Sequence, residues 1–283
     1  MDFDEIRRVT ITALFSDEVL FEHLVLKGGN ALSLVYGLTE RASLDLDFSM
    51  DADFLDIEDA RRRLFSSVKD RFDAIGYVVF DEVLEPKPRL DTDDVKPWWG
   101  GYELRFKLIE RAKYEAFKER IEKLRFNATV TGRAQERTFK VDLSKFEYTV
   151  GKAARDFHDY KIYVYTPEMI VAEKLRAVCQ QFPDYPHKGR PTARARDFYD
   201  IHRVVTLRGI DLLSAENLEL IRQIFAVKQV PLEFLTRIQE HREFHRPDWQ
   251  AVIDSTTGFL EEFDFYFDFV LGQVQRLHPL WVE

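Results

Sequence analysis

Cysteine is almost missing from this chain, and its scarcity narrows the chemistry available. Among 283 residues there is one, Cys179, and a single thiol can form neither an internal disulfide nor a cysteine-rich zinc site. Its setting, AEKLRAVCQQF, reads as a small core residue of a helix. Long apolar runs are missing as well: none approaches the roughly 18 residues that a membrane helix needs. The opening stretch MDFDEIRR carries acid where a secretory signal has a basic start and an apolar core. A soluble, cytoplasmic protein with no membrane association is therefore expected. Excess positive charge is lacking too. With 41 Lys and Arg against 50 Asp and Glu, the formal net charge is −9, which argues against non-specific coating of nucleic acid but leaves room for a local basic patch. Internal repeats and low-complexity tracts are not seen.

What the chain has is apolar material, 45% of its residues and 24 phenylalanines, enough for one large domain or two modest ones. EHLVLK reads as a strand, GGNALSLVYG as a helix opening at the glycines, and SLDLDFSM as a strand with period-2 alternation. From Asp56 to Ile75, the apolar positions Ile57, Ala60, Leu64, Val68 and Phe72 recur at helical steps. YVVFDEVLE, YELRFKLIE, RTFKVDLSKFE and KIYVYT read as further strands, and RAKYEAFKERIEKL as one helix. TPEMIVAEKLRAVCQQF opens with a threonine cap, a first-turn proline and a glutamate, the start signals of a long helix, and everything beyond it reads as helical. The expected fold is α+β and bilobed: a mixed-sheet lobe over residues 1–160 and an α-helical lobe over 161–283.

Within that frame SLDLDFSM is unusual. Side chains two apart on a strand share a face, so Asp45 and Asp47 stand together while Leu46 and Phe48 face the core. Ionised carboxylates are costly to bury without a cation or donors. Roughly 6 to 7 Å apart along the backbone, the two can converge on one divalent cation or straddle a pair, as two-metal phosphoryl and nucleotidyl transfer requires. Asp142, mid-strand between Val141 and Leu143, is the candidate third carboxylate. The run DLDFSMDADFLD superficially matches a calcium loop, but Met50 stands where glycine is needed. At the strand-to-helix junction Gly28 and Gly29 either form an ordinary tight turn or let the backbone approach a triphosphate, with Lys27 adding a cation.

The second half holds its own constellation. Lys174 lies at the edge of a helix whose positions Ile170, Val171, Leu175 and Val178 face the core. In RARDFYDIHR, Arg196 and Asp200 are four apart and Asp197 and Asp200 three apart, on neighbouring helical ridges. That pattern suits a salt-bridged surface. The preceding loop, however, carries Lys188, Arg190, Arg194 and Arg196 with little opposing acid, a compact cationic patch suited to the phosphates of a nucleotide or of RNA.

Taken in order, K-G-G-x-A-L, R-x-S-x-D-L-D-F-S, a mid-strand K-x-D, A-E-K-L-R-A and R-x-R-D-x-Y-D-I resemble the AbiEii/AbiGii family of nucleotidyltransferase toxins, which includes the MenT toxins, within the DNA polymerase β-like superfamily. The likeness runs from about Leu26 to Ile201. It implies that Gly28, Gly29 and Ser43 cradle phosphates, that Asp45 and Asp47 hold Mg²⁺ or Mn²⁺, and that Lys174 and Asp197 complete the active site, in a cleft between the lobes, with Arg41 and Asp200 inside the same motifs. It also implies NTP as substrate, tRNA acceptor ends as one target, a translation block, and a cognate antitoxin. Asn30 replaces the family's usual threonine after the glycines. A nucleotidyltransferase acting on a small molecule or a protein, and a non-catalytic nucleotide- or RNA-binding module, stay open as alternatives.

Overall fold

The computed structural model describes residues 1–41, 43, 45–88, 96–132, 135–186 and 190–281. In chain order the elements begin α1 (Phe3–Phe15), α2 (Glu18–His23), β1 (Val25–Lys27), α3 (Gly28–Asn30) with a π-helical turn (Ala31–Val35), and β2 (Leu46–Ser49). There follow α4 (Ile57–Asp73), β3 (Tyr77–Lys87), β4 (Gly101–Glu110), α5 (Arg111–Phe117), α6 (Ile121–Asn127), β5 (Phe139–Ser144), β6 (Ala153–Phe157) and β7 (Tyr160–Val164). The remainder is helical: α7 (Pro167–Cys179), α8 (Ala195–Arg208), α9 (Ala215–Ala226), a 3-10 stretch (Leu232–His241), α10 (Arg242–His245), α11 (Trp249–Ile253) and α12 (Phe263–Gln275). The chain divides into two compact units, Met1–Leu26 with Leu44–Val164 and Lys27–Ser43 with Tyr165–Glu283.

Among the described residues the strands form one seven-stranded mixed sheet, ordered β3-β4-β5-β2-β1-β7-β6. β2 runs parallel to β5 and β1 parallel to β7, while β3/β4, β4/β5 and β6/β7 are antiparallel. The sequence of β2, LDFS, explains its placement. Leu46 and Phe48 are fully buried, and the Phe48 ring lies 5.9 Å from Phe15 of α1. On β5 the same alternation buries Phe139, Val141 and Leu143 and leaves Lys140, Asp142 and Ser144 half-exposed. α4 is capped by Asp56, which accepts from the N–H groups of Glu58 and Asp59 at 2.9 and 3.1 Å. It buries Ala60, Leu64, Val68 and Phe72, and Phe72, Phe106 and Phe139 continue one aromatic chain at 5.9 and 5.5 Å. One face of the sheet is thus apolar and helix-covered, and the acids belong to the other.

The residues read as one helix from Arg111 divide into α5 and α6, which turn at Arg120, the N-cap of α6. The turn lets Leu124 join Phe80, Ile109 and Ala128, with Tyr114 and Phe117 packed against that cluster. Tertiary burial overrides a run of good helix formers here. β2 is also shorter than SLDLDFSM suggests, beginning at Leu46, so Asp45 lies one residue before it and is exposed.

In the second unit, α7 starts as its sequence directs: Thr166 accepts from the Met169 N–H at 3.3 Å and Pro167 fills the first turn. α8 ends at Gly209, whose left-handed φ of +61° closes the helix by donating to the Val205 carbonyl. Phe198 of α8 packs on Phe267 and Phe263 of α12 at 4.8 and 5.8 Å, which fixes the helix that carries Asp197 and Asp200.

Candidate active site

On the polar face of the sheet, register rather than sequence assembles the acids. Asp47 of β2 pairs with Asp142 of β5, Asp142 with Glu103 of β4, and Glu103 with Glu85 of β3. Four carboxylates therefore stand in one row across four adjacent strands, at strand spacings of about 4.8 Å. Like charges placed directly opposite repel, and cations from neighbouring rows relieve most of the row. Arg105 reaches Glu85 at 2.6 Å and Glu103 at 3.3 Å, and Lys87 reaches Glu103 at 2.5 Å and Asp142 at 2.7 Å. The alternation of acid and base runs from Glu85 to Asp142, and Asp47 is next in the row. Asp45 raises the pKa of Lys140, whose first partner is Glu136.

Glu103 was not singled out by the sequence. YELRFKLIE is an ordinary alternating strand, and only the antiparallel register sets Glu103 beside Asp142. Among the described residues, no group of three or more His, Cys, Asp or Glu side chains is gathered as a cation site. The donor set nonetheless fits a hard divalent ion. Asp47 and Asp142 are register partners bearing carboxylate oxygens, the donors that Mg²⁺ and Mn²⁺ select, and an ammonium already stands against Asp142 where a cation is called for.

A second cluster lies wholly within the helical unit. Gly28 adopts φ +69°, a conformation that favours glycine. Gly29 is tied to its neighbours differently: a Cβ there would lie 2.9 Å from Arg41 Nη2 and 3.0 Å from Ser43 Cβ. Arg41, in turn, is gripped by Asp200, donating through Nε at 3.3 Å and Nη2 at 2.8 Å. Lys174 Nζ donates to Asp197 at 2.7 Å and lies 2.8 Å from Asp200, while Arg194 Nε also donates to Asp197. Lys174, Asp197 and Asp200 are buried. Burial alone would neutralise both acids, but Arg194 and Lys174 around Asp197, and Arg41 and Lys174 around Asp200, hold them well below the usual carboxylate range. Burial likewise opposes the Lys174 charge, and Asp197 and Asp200 outweigh it. All the groups in this cluster are charged at neutral pH.

The sequence-derived residues are thus brought together unevenly. Gly29, Arg41, Ser43, Lys174, Arg194, Asp197 and Asp200 form one cluster, and Asp47 and Asp142 form another with Asp45 at its edge. Lys27 is buried and donates to Glu173 at 2.7 Å. Glu173 is the glutamate of A-E-K-L-R-A, next to Lys174, and its pairing with Lys27 across 146 residues leaves no local signal in the sequence. Arg196 is exposed and lies 3.9 Å from Asp248 rather than pairing with Asp200. Arg190 is exposed, and Lys188 lies outside the described residues. A groove of about 610 Å³ lined by α4 residues, among them Arg62, Arg63 and Arg71, includes none of the candidate residues.

Acids on adjacent strands of a mixed sheet in one unit, and a glycine turn with buried lysine and arginine in the other, are the equipment of nucleotidyl- or phosphoryl-transfer proteins as a class. The chain belongs to one family within that class, the AbiEii nucleotidyl transferase toxins of type IV toxin–antitoxin systems, whose model matches residues 11–269. It is accordingly a nucleotidyltransferase of the toxin type. The sequence matches none of the curated proteins. Among solved structures, JHP933 from Helicobacter pylori is similar over 98% of this chain and 90% of its own, at 18% identity and a TM-score of 0.51, which shows a shared fold. A candidate nucleotidyltransferase from H. pylori aligns over 98% and 93% at 16% identity and a TM-score of 0.49. An antigenic nucleotidyltransferase-like protein from Paracoccidioides brasiliensis aligns over 90% and 95% at 14% identity and 0.40. Among the described residues no helix is long and apolar enough to cross a membrane.

Proposed function

We propose that this toxin transfers a nucleotide from an NTP to an RNA acceptor, the 3′ end of tRNA, in a reaction that needs Mg²⁺ or Mn²⁺ and that stops translation in the cytoplasm until a cognate antitoxin intervenes. The observation that carries the metal-dependent part is the register pairing of Asp47 with Asp142, with Asp45 beside it in the chain. Asp45 and Asp47, with Asp142 as third donor, would hold the divalent cation, which neutralises triphosphate charge and makes an acceptor hydroxyl easier to ionise.

The residues of the helical unit act on the phosphates. Gly28 and Gly29 permit close approach of the backbone, and Ser43 packs over Gly29 as a hydroxyl donor. Arg41 and Lys174 are permanent cations held in place by Asp200 and Asp197, so they meet phosphate oxygens without first being ordered. The acceptor oxygen bonds to the α-phosphorus, the bond to the bridging oxygen breaks, and pyrophosphate leaves with the electron pair. Exposed Arg190 and Arg196, with Lys188 in the same stretch, would hold the acceptor backbone.

The test is incubation of the purified chain with each labelled NTP, Mg²⁺ and total RNA, followed by identification of the species that gains label. Label in the tRNA band is expected. Asp45→Ala or Asp47→Ala should lower the rate at least about a hundredfold, while a cooperative thermal unfolding transition shows that each variant is folded. Full activity in either variant overturns the assignment of the metal ligands. Label confined to a small molecule or to protein overturns the RNA acceptor.

A further inference from the structure

The zipper of charges on the sheet contains one side chain that the nucleotidyl-transfer reading does not use. Lys87 ends β3, at the outer edge of the sheet, and its ammonium crosses to the middle, reaching Glu103 at 2.5 Å and Asp142 at 2.7 Å. Its side chain is 49% exposed, against 16% for Glu103 and 32% for Asp142, so the bridge stands at the mouth of the polar face rather than inside the core. Both acids raise the affinity of Lys87 for its proton beyond what burial takes away. Asp142 therefore has two claimants. On one side in the row is the Lys87–Glu103 pair, and on the other is Asp47, its register partner on β2.

We propose that Lys87 is a built-in counter-cation that competes with a divalent ion for Asp142, and so sets the threshold concentration at which the acid pair Asp47–Asp142 takes up metal. This rests on the reading above that these acids bind a divalent cation. Three features of the arrangement make the competition workable. Lys87 keeps Glu103 as a partner when it releases Asp142, so release breaks one of two ion pairs and strands no charge. The pair is partly solvated, and pairs of that kind shift an equilibrium by less than about fivefold to tenfold, which a dication of higher charge density can overcome. Finally, a long flexible lysine stem allows the ammonium to move without any change in the strand. The ammonium thus offsets the charge of Asp142 before the metal arrives, and yields to it afterwards.

The experiment measures Mn²⁺ affinity of the full-length chain without nucleotide, from the electron paramagnetic resonance signal of free Mn²⁺. Lys87→Met should tighten binding about three- to fivefold. Lys140→Met removes the same charge from the same face, where Lys140 pairs with Glu136 and feels Asp45; it should change affinity by less than about twofold, because Lys140 does not occupy Asp142. In an Asp142→Asn background the Lys87→Met effect should vanish, which isolates the pairwise coupling from the general field. A second readout needs no substitution: the ¹³C signal of reductively methylated Lys87 should shift on titration with Mg²⁺ as the side chain leaves Asp142. Equal tightening by Lys87→Met and Lys140→Met, or persistence of the Lys87 effect in the Asp142→Asn background, overturns the competition. Unchanged affinity in Lys87→Met with weakened binding in Asp47→Asn overturns the role of Lys87 alone. Mn²⁺ binding that is indifferent to Asp45→Asn and Asp47→Asn removes the metal reading itself, and the competition with it.

Discussion

A methyl group at residue 29 has nowhere to go. Its position 2.9 Å from Arg41 Nη2 would be tolerable if the guanidinium could swing aside, but two hydrogen bonds to the fully buried Asp200 pin it. Breaking that grip leaves a buried carboxylate short of a partner, which is expensive. The backbone at Gly29 lies within a helical turn and needs no left-handed φ, so alanine is locally acceptable and gains up to about 1 kcal/mol of helix propensity. The clash outweighs the propensity gain. Gly29→Ala should lower the unfolding free energy by about 2 to 4 kcal/mol through the disturbed Arg41–Asp200 pair, while the KM for NTP rises about tenfold through displacement of Arg41 and Ser43. Urea unfolding and initial-rate kinetics on the same preparation test this; unchanged KM would mean that Arg41 and Ser43 play no part in holding the nucleotide.

Elements decide how far such local logic can be read in advance. Period-2 alternation in LDFS and FKVDLS discloses which side chains are buried, and the structure agrees at every position except Ser49, which is buried on the polar side of β2. Alternation says nothing about which strand lies beside which, so Glu103 and Lys87, partners of Asp142 through register, could not be found by reading along the chain. The Arg41–Asp200 pair spans 159 residues and is invisible for the same reason. α7 was legible because its cap, proline and apolar stripe are local signals, whereas the break between α5 and α6 is imposed by packing on Phe80 and Ile109. His245 of α10 is another such long-range tie. Its Nδ1 accepts from the Arg194 N–H, at the start of α8, at 3.1 Å. Burial, reinforced by His241 and Arg194 and opposed by Asp197, pushes its pKa down to about 4 from 6.5. A histidine depressed in the folded state stabilises fully above its unfolded value and loses that contribution as pH falls from 6.5 toward 4. From pH 7.5 to 5 the loss from this group should be about 2 kcal/mol. His245→Asn keeps an acceptor for Arg194 but does not titrate, so its stability should fall correspondingly less across that interval. Urea unfolding at both pH values decides, and an identical drop in the variant would remove His245 as the source.

For the whole molecule, the governing quantity is a net charge of −9 that must approach a polyanionic acceptor. At long range the two repel, and salt weakens that repulsion. At contact, cations that displace counterions from phosphates lose affinity as salt rises, with a logarithmic slope of roughly −0.7 to −0.9 per phosphate. The two effects oppose each other, so the sign of the observed dependence reports whether a local patch engages the backbone. Not every arginine of the loop is available for this. Arg194 is committed to Asp197, and substituting it would disturb Lys174 as well. Arg190 and Arg196 are exposed, and the Arg196 guanidinium meets the largely buried Asp248 only at 3.9 Å, beyond hydrogen-bonding distance. If they grip the acceptor, nucleotide transfer to tRNA at sub-saturating RNA should fall with salt for the wild type, and Arg190→Ala with Arg196→Ala should flatten the slope by about one contact each. The KM for NTP should stay within about twofold, since neither side chain belongs to the Gly29–Arg41–Lys174 cluster. A rate that rises with salt in the wild type, or a slope identical in the double variant, would mean that these arginines are solvated surface charge and that the acceptor is recognised elsewhere.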